Sequence, residues 1–125
     1  MIRIYMRMGC SSSYNTIAWF ENYKIETKII NINDISTEDL ITALSYSSNG
    51  TRDLVRRRNK VSSKLRTKIK LLNEMSFNEG LYYIKNNTEI LRTPIVLDKQ
   101  KMLVGYNSDE LGMFLSPKYR KCLIP

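Results

Sequence analysis

The sequence predicts an α/β fold: a four-stranded mixed sheet with a helical insertion. Three observations predict it. The chain opens as strand, helix, strand. It closes on a strand hairpin followed by a helix. The long stretch between these ends has helical rather than alternating periodicity. A strand–helix–strand opening favours a parallel pair, because the helix carries the chain back to the start of the next strand. The hairpin adds antiparallel neighbours, so the sheet is mixed.

Each element has a local reason. Ile2-Arg3-Ile4-Tyr5-Met6 is short, β-prone and partly alternating, and reads as the first strand. Ser11 or Ser12 can cap a helix running to about Tyr23, with Ile17, Phe20 and Trp19 on its apolar side. Ile25 to Ile30 alternates and reads as the second strand. Ser36 then opens a helix whose first turn holds Glu38 and Asp39, where the helix dipole favours negative charge. Leu40, Ile41 and Leu44 give that helix its apolar face, and Gly50 is expected as its left-handed C′ residue. Thr51 to Arg58 reads as another short helix, and Ser76 with Glu79 forms a capping box for a further one. Pro94-Ile95-Val96-Leu97-Asp98 reads as a strand with proline at its tolerated first position. Lys99-Gln100-Lys101 is the turn, Met102 to Tyr106 the returning strand, and Ser108 caps the last helix.

This order of elements is that of a thioredoxin-like fold with an insertion. The 125 residues form one domain on this reading, with a core from about 1–32 and 88–117. The insertion spans about 33–87, and residues 118–125 form a mobile tail. No apolar run is long enough for a membrane span, and Arg3 and Arg7 break any signal-peptide pattern, so the cytoplasm is the expected compartment.

Charge is concentrated. The chain carries a net +8, and residues 51–72 hold nine Arg or Lys against the single Asp53. Such a segment suits a polyanion or an acidic protein face, or is a solvated helix with no partner. It contains no DNA-reading motif, so any DNA contact is expected to be weak, salt-sensitive and indifferent to sequence. There is no histidine, which excludes Ser-His-Asp chemistry and histidine-based zinc sites. Two cysteines near opposite ends, Cys10 and Cys122, make neither a disulfide framework nor a metal site. No cofactor is expected.

Cys10 is the residue with chemistry. It stands where a strand meets a helix, facing unpaired N–H groups and the positive end of the dipole, which favour thiolate over thiol. Arg7 adds to this. Three residues on, where a C-x-x-C pair would place its resolving thiol, the chain has Ser13. Cys10 can therefore attack once, form a mixed disulfide, or be oxidised to sulfenic acid, but cannot form a disulfide within this loop. The bland alternative is a small residue filling a tight turn.

Several stretches together resemble the arsenate reductase/Spx family over nearly the whole length: CSSSYNT after the first strand, VRRRNKVSSKL, and LRTPIVLDKQKMLVGYNSDELGMFL. The segments Thr93–Asp98 and Val104–Glu110 resemble the Spx branch most. The resemblance implies a thioredoxin-like core with a cis-proline at Pro94 against the cysteine. It also implies a transcriptional regulator that binds the C-terminal domain of the RNA polymerase α subunit during thiol stress. Gly50 matches a glycine used at that contact, Arg57 or Arg58 matches an Spx arginine, and Arg92 lies next to a second Spx position. Cys10 with Ser13 departs from the usual Spx C-x-x-C switch and instead resembles the C-x-x-S-x-N-T of arsenate reductases. Those enzymes hold their oxyanion with arginines. Two of the three positions here carry Thr93 and about Gly105, leaving only Arg57 or Arg58. A weakened anion grip, and a regulator rather than an enzyme, is the resulting expectation. The rival from another class is an arsenate reductase-like or one-cysteine glutaredoxin-like oxidoreductase.

Overall fold

The computed structural model describes residues 1–57 and 60–115. Arg58, Cys122 and the expected tail lie outside them. The elements are β1 (Ile2–Met6), α1 (Ser11–Asn22), β2 (Thr27–Asn31), α2 (Thr37–Tyr46), α3 (Ser63–Leu72), α4 (Phe77–Asn86), β3 (Ile95–Leu97), β4 (Met102–Val104) and α5 (Ser108–Leu111). The sheet order is β2-β1-β3-β4, with β1 parallel to β2 and antiparallel to β3, and β3 antiparallel to β4. This is a thioredoxin-like mixed sheet with α2, α3 and α4 between its parallel and antiparallel halves.

Strand alternation divides the core between the two faces of the sheet. Ile4 and Val96 point to one face, where they pack with Phe20 of α1, Leu103, Leu111 and Phe114. Tyr5, Ile95 and Leu97 point to the other and meet Leu40 and Ala43 of α2, Ile69 and Leu72 of α3, and Ile84 of α4. Gly80 of α4 is buried against Leu72 of α3, where a Cβ would stand 3.4 Å from Leu72 Cδ1, an ordinary contact.

Polar ties fix the helices in place. Arg3 grips Asp39 with Nε at 2.7 Å and a second guanidinium nitrogen at 3.0 Å, and the Tyr5 hydroxyl donates to the same carboxylate. Burial first, and then this bond, push the Tyr5 hydroxyl up to about 12. Asp39 thus pins the first turn of α2 to β1. The capping box at Ser76 and Glu79 is present in both directions, and Lys68 pairs with Glu89.

Several sequence expectations need correction. α2 ends at Ser47 in extended conformation, so Gly50 is not its C′ residue. Gly50 does have φ +63°, but there it opens a 3-10 turn, Gly50–Asp53. Of the helix expected over Thr51–Arg58, the described residues form only that turn. Beyond it, Val55 bridges Leu91. Residues 63–72 of the basic segment form α3, which buries Ile69 and Leu72 instead of lying wholly in solvent. β2 begins at Thr27, β4 ends at Val104, and Asn107 caps α5 in place of Ser108, accepting from the amides of Asp109 and Glu110.

The central position of Ile4 gives a direct check. Ile4→Ala removes fully buried volume against Phe20 and Val96, and is expected to lower stability by about 2–5 kcal/mol in urea unfolding. A loss well below 1 kcal/mol would contradict the packing described.

Candidate functional site: a thiol in a basic cleft

The site begins where β1 stops. Gly9 at φ +80° turns the chain and donates its amide to the Tyr14 hydroxyl at 3.0 Å. Only a residue without Cβ takes that conformation freely. Cys10 follows as the N-cap of α1 itself, in extended conformation and half-buried. The expected cap at Ser11 or Ser12 is therefore displaced by one position: the cysteine occupies it.

The sulfur has specific neighbours. The Thr93 hydroxyl donates to Sγ at 3.2 Å, and the Thr93 carbonyl lies 3.7 Å from it. Thr93 is joined to Pro94 by a cis peptide bond, at the position the resemblance implies. Burial pushes the Cys10 thiol up. The hydroxyls of Ser13 and Thr93 and the amides of Ser13 and Ser12 stabilise the anion more strongly, so the pKa falls below the ordinary cysteine value. Ser13 is fully buried and stands 3.4 Å from the Arg7 amide. It shapes the loop from within and does not keep the loop open as a surface residue.

Around the thiol lies an open cleft of about 650 Å³. Among the described residues its charged lining is Arg7, Arg56, Arg57, Lys60 and Arg92, with no carboxylate. Arg7 donates to the carbonyls of Thr88 at 2.8 Å and Leu91 at 3.1 Å. Burial, then repulsion from Arg56, hold its guanidinium below the usual arginine value. Among the described residues, Arg56, Arg57, Lys60 and Arg92 join no ion pair. The backbone sets this arrangement. The Arg56 amide donates to the Ile90 carbonyl and the Arg92 amide to the Leu54 carbonyl, each at 2.8 Å, on either side of the Val55–Leu91 bridge.

The arginines near the thiol are not confined to Arg57 or Arg58. Arg92 also lines the cleft, and one of its terminal nitrogens stands 3.3 Å from where a Gly105 Cβ would be. The bare Gly105 leaves room for this guanidinium. Arg7, which the sequence already places beside the thiol, and Arg56, whose only sequence signal was the crowding of basic residues, complete the cationic rim. Arg57 lines the same cleft as Cys10, and Arg58 lies outside the described residues. Gly50 does not line this cleft. It is next to a second groove of about 610 Å³, lined in part by Asn49, Thr51 and Arg52, which shares Arg56, Arg57 and Arg92 with the first.

The geometry predicts thiol behaviour. Alkylation of Cys10 by iodoacetamide, followed against pH with peptide mapping to separate it from Cys122, should reach its plateau at lower pH than free cysteine. The thiolate is the reacting form, and its folded pKa is depressed. Ser13→Ala and Thr93→Val should each move the midpoint upward. A wild-type midpoint at or above that of free cysteine would contradict the hydrogen-bond account.

The ArsC family model matches residues 5–114. The global transcriptional regulator Spx of Streptococcus pyogenes serotype M3 is 32% identical over 123 residues, covering 97% of this chain and 90% of that protein. The protein of the same name from Streptococcus agalactiae serotype V is 34% identical, covering 97% and 88%. Among solved structures, a Staphylococcus aureus COL protein has a TM-score of 0.75 at 15% identity over 93% of this chain and 100% of its own. An arsenate reductase from Vibrio cholerae has 0.70 at 21% identity over 91% and 97%. The structures share the fold. With the family match over most of its length and the identity to Spx proteins, the chain belongs to the arsenate reductase/Spx family.

Proposed function

We propose that this protein is a cytoplasmic transcriptional regulator of the Spx type, acting by contact with the C-terminal domain of the RNA polymerase α subunit. The observation that carries the reading is similarity to Spx regulators across 97% of the chain. The contact surface is the turn at Gly50 with its neighbouring arginines. Gly50 is exposed and a Cβ there would meet nothing within 4 Å, so its backbone is open to a partner. Arg52, Arg56, Arg57 and Arg92 line the groove beside it. The basic face of α3, with Lys64, Arg66 and Lys70 exposed, adds a salt-sensitive attraction to nearby promoter DNA.

The usual internal disulfide switch is absent on this reading, because Ser13 has no sulfur to close it. The Thr93–Cys10 contact and the thioredoxin-like core then act as a scaffold for docking. A second reading is favoured by one observation, the cationic cleft around a stabilised thiol: a thiol-dependent reductase of an oxyanion or a glutathione-linked oxidoreductase.

Titration of the protein against the isolated α C-terminal domain should give a saturable complex, with no turnover in glutathione-dependent reductase assays. Gly50→Arg should weaken the complex at least tenfold while leaving the Cys10 alkylation rate unchanged. Turnover without a complex would replace this reading with the enzymatic one.

A further inference from the structure

We infer that the groove between the end of α1 and the β4–α5 corner is the seat of the chain's own basic segment, residues 116–125, with Leu123 and Ile124 on its apolar floor and Lys118, Arg120 and Lys121 against Asp109 and Glu110.

Three observations converge. The first is the groove itself. It has a volume of about 870 Å³, larger than the thiol cleft, and its apolar floor holds half-buried Trp19, Met102 and Met113 with Leu115. Among the described residues its charged lining is Asp109 and Glu110, both exposed and in no ion pair. Lys101, beside Met102 in sequence, is turned instead to Asp98 at 4.0 Å and to the Phe114 ring at 5.6 Å. On a chain of net charge +8, an acidic rim over an apolar floor selects a cationic, partly apolar occupant. The second is connectivity. Leu115, on the groove wall, is the last described residue, so the segment that follows leaves from the groove. Lys118 is three residues on, and an extended chain advances at most about 3.6 Å per residue, so it stays within about 11 Å of that wall. A tethered segment meets the groove at high effective concentration, so modest contacts hold it. The third is composition. Residues 116–125 read SPKYRKCLIP, with three cations, no acid, and Leu123 and Ile124 to bury. The exposed charges contribute little by themselves and set the orientation, while apolar burial supplies most of the attraction.

The seat has a consequence for the two cysteines. Trp19 lies nine residues beyond Cys10 in α1, about 14 Å along the helix axis. A disulfide needs its α-carbons within about 7 Å of each other. With Leu123 held on the groove floor, Cys122 beside it is kept at the far end of α1 from Cys10. The seated segment also covers Trp19, the single tryptophan of the chain. The inference rests neither on polymerase contact nor on the reactivity of the thiol.

Trp19 fluorescence on the full chain reads the seat directly. Acrylamide quenching should be weak in the wild type. In Leu123→Ser with Ile124→Ser it should rise severalfold, with a red-shifted emission and an unchanged far-UV spectrum. Lys118→Glu with Arg120→Glu and Lys121→Glu should act in the same direction. Asp109→Asn with Glu110→Gln should do so too, and joining these two charge sets should give less than the sum of their effects, because both act on one contact. Quenching should not vary with protein concentration, as a segment of the same molecule requires. Quenching equal in the wild type and in every 116–125 variant, or strictly additive charge sets, would overturn the proposal. A dependence on concentration would also overturn it, by giving the groove to a second copy.

Discussion

One short backbone contact organises the functional end of this molecule. Residues 54–56 pair with residues 90–92 through two 2.8 Å hydrogen bonds around the Val55–Leu91 bridge. The first segment belongs to the insertion; the second leads into Thr93 and Pro94, beside the thiol. The bridge lies over fully buried Leu54, Ile90 and Leu91, where water does not compete for the bonds. Without it, the arginines of the insertion would have no fixed relation to Cys10. With it, guanidinium groups contributed by the loop after β1, the insertion and the pre-β3 segment converge on a single cleft.

Within that cleft, opposing influences act on the sulfur. Partial burial disfavours a thiolate, while two hydroxyls and two helix-start amides favour it, and the latter win. The replacement of a second thiol by Ser13 thus has two consequences. It removes the means of forming a disulfide in the loop, and it supplies one of the donors that stabilise the remaining sulfur as an anion. A scaffold of this kind retains reactivity while losing self-resolution, which suits either a regulator whose thiol responds to small molecules or an enzyme that relies on an external thiol.

Much of the architecture was legible locally. β1 and the capping box at Ser76 and Glu79 are set by neighbours in sequence, and the chain follows them. The cis Thr93–Pro94 bond came from the resemblance, because local chemistry alone does not favour it. What could not be read depends on long-range contacts. Gly50 has the backbone conformation expected of it, but the helix before it ends at Tyr46, four residues earlier. Val55 pairs with Leu91 because the chain there offers hydrogen bonds that no local pattern announces. Arg92 lines the thiol cleft because Gly105, on the far side of the hairpin, leaves the space. For the same reason, matching arginines to motif positions one by one missed a cationic rim that the fold assembles from Arg7, Arg56 and Arg92.

The most direct measurement of this account is native-state hydrogen exchange at the amides of Arg56 and Arg92. If the bridge fixes the cleft, both amides exchange slowly and together, on the timescale of the β3 amides. Exchange of either at the rate of an exposed loop, while β3 stays protected, would mean that the insertion does not hold its arginines over Cys10.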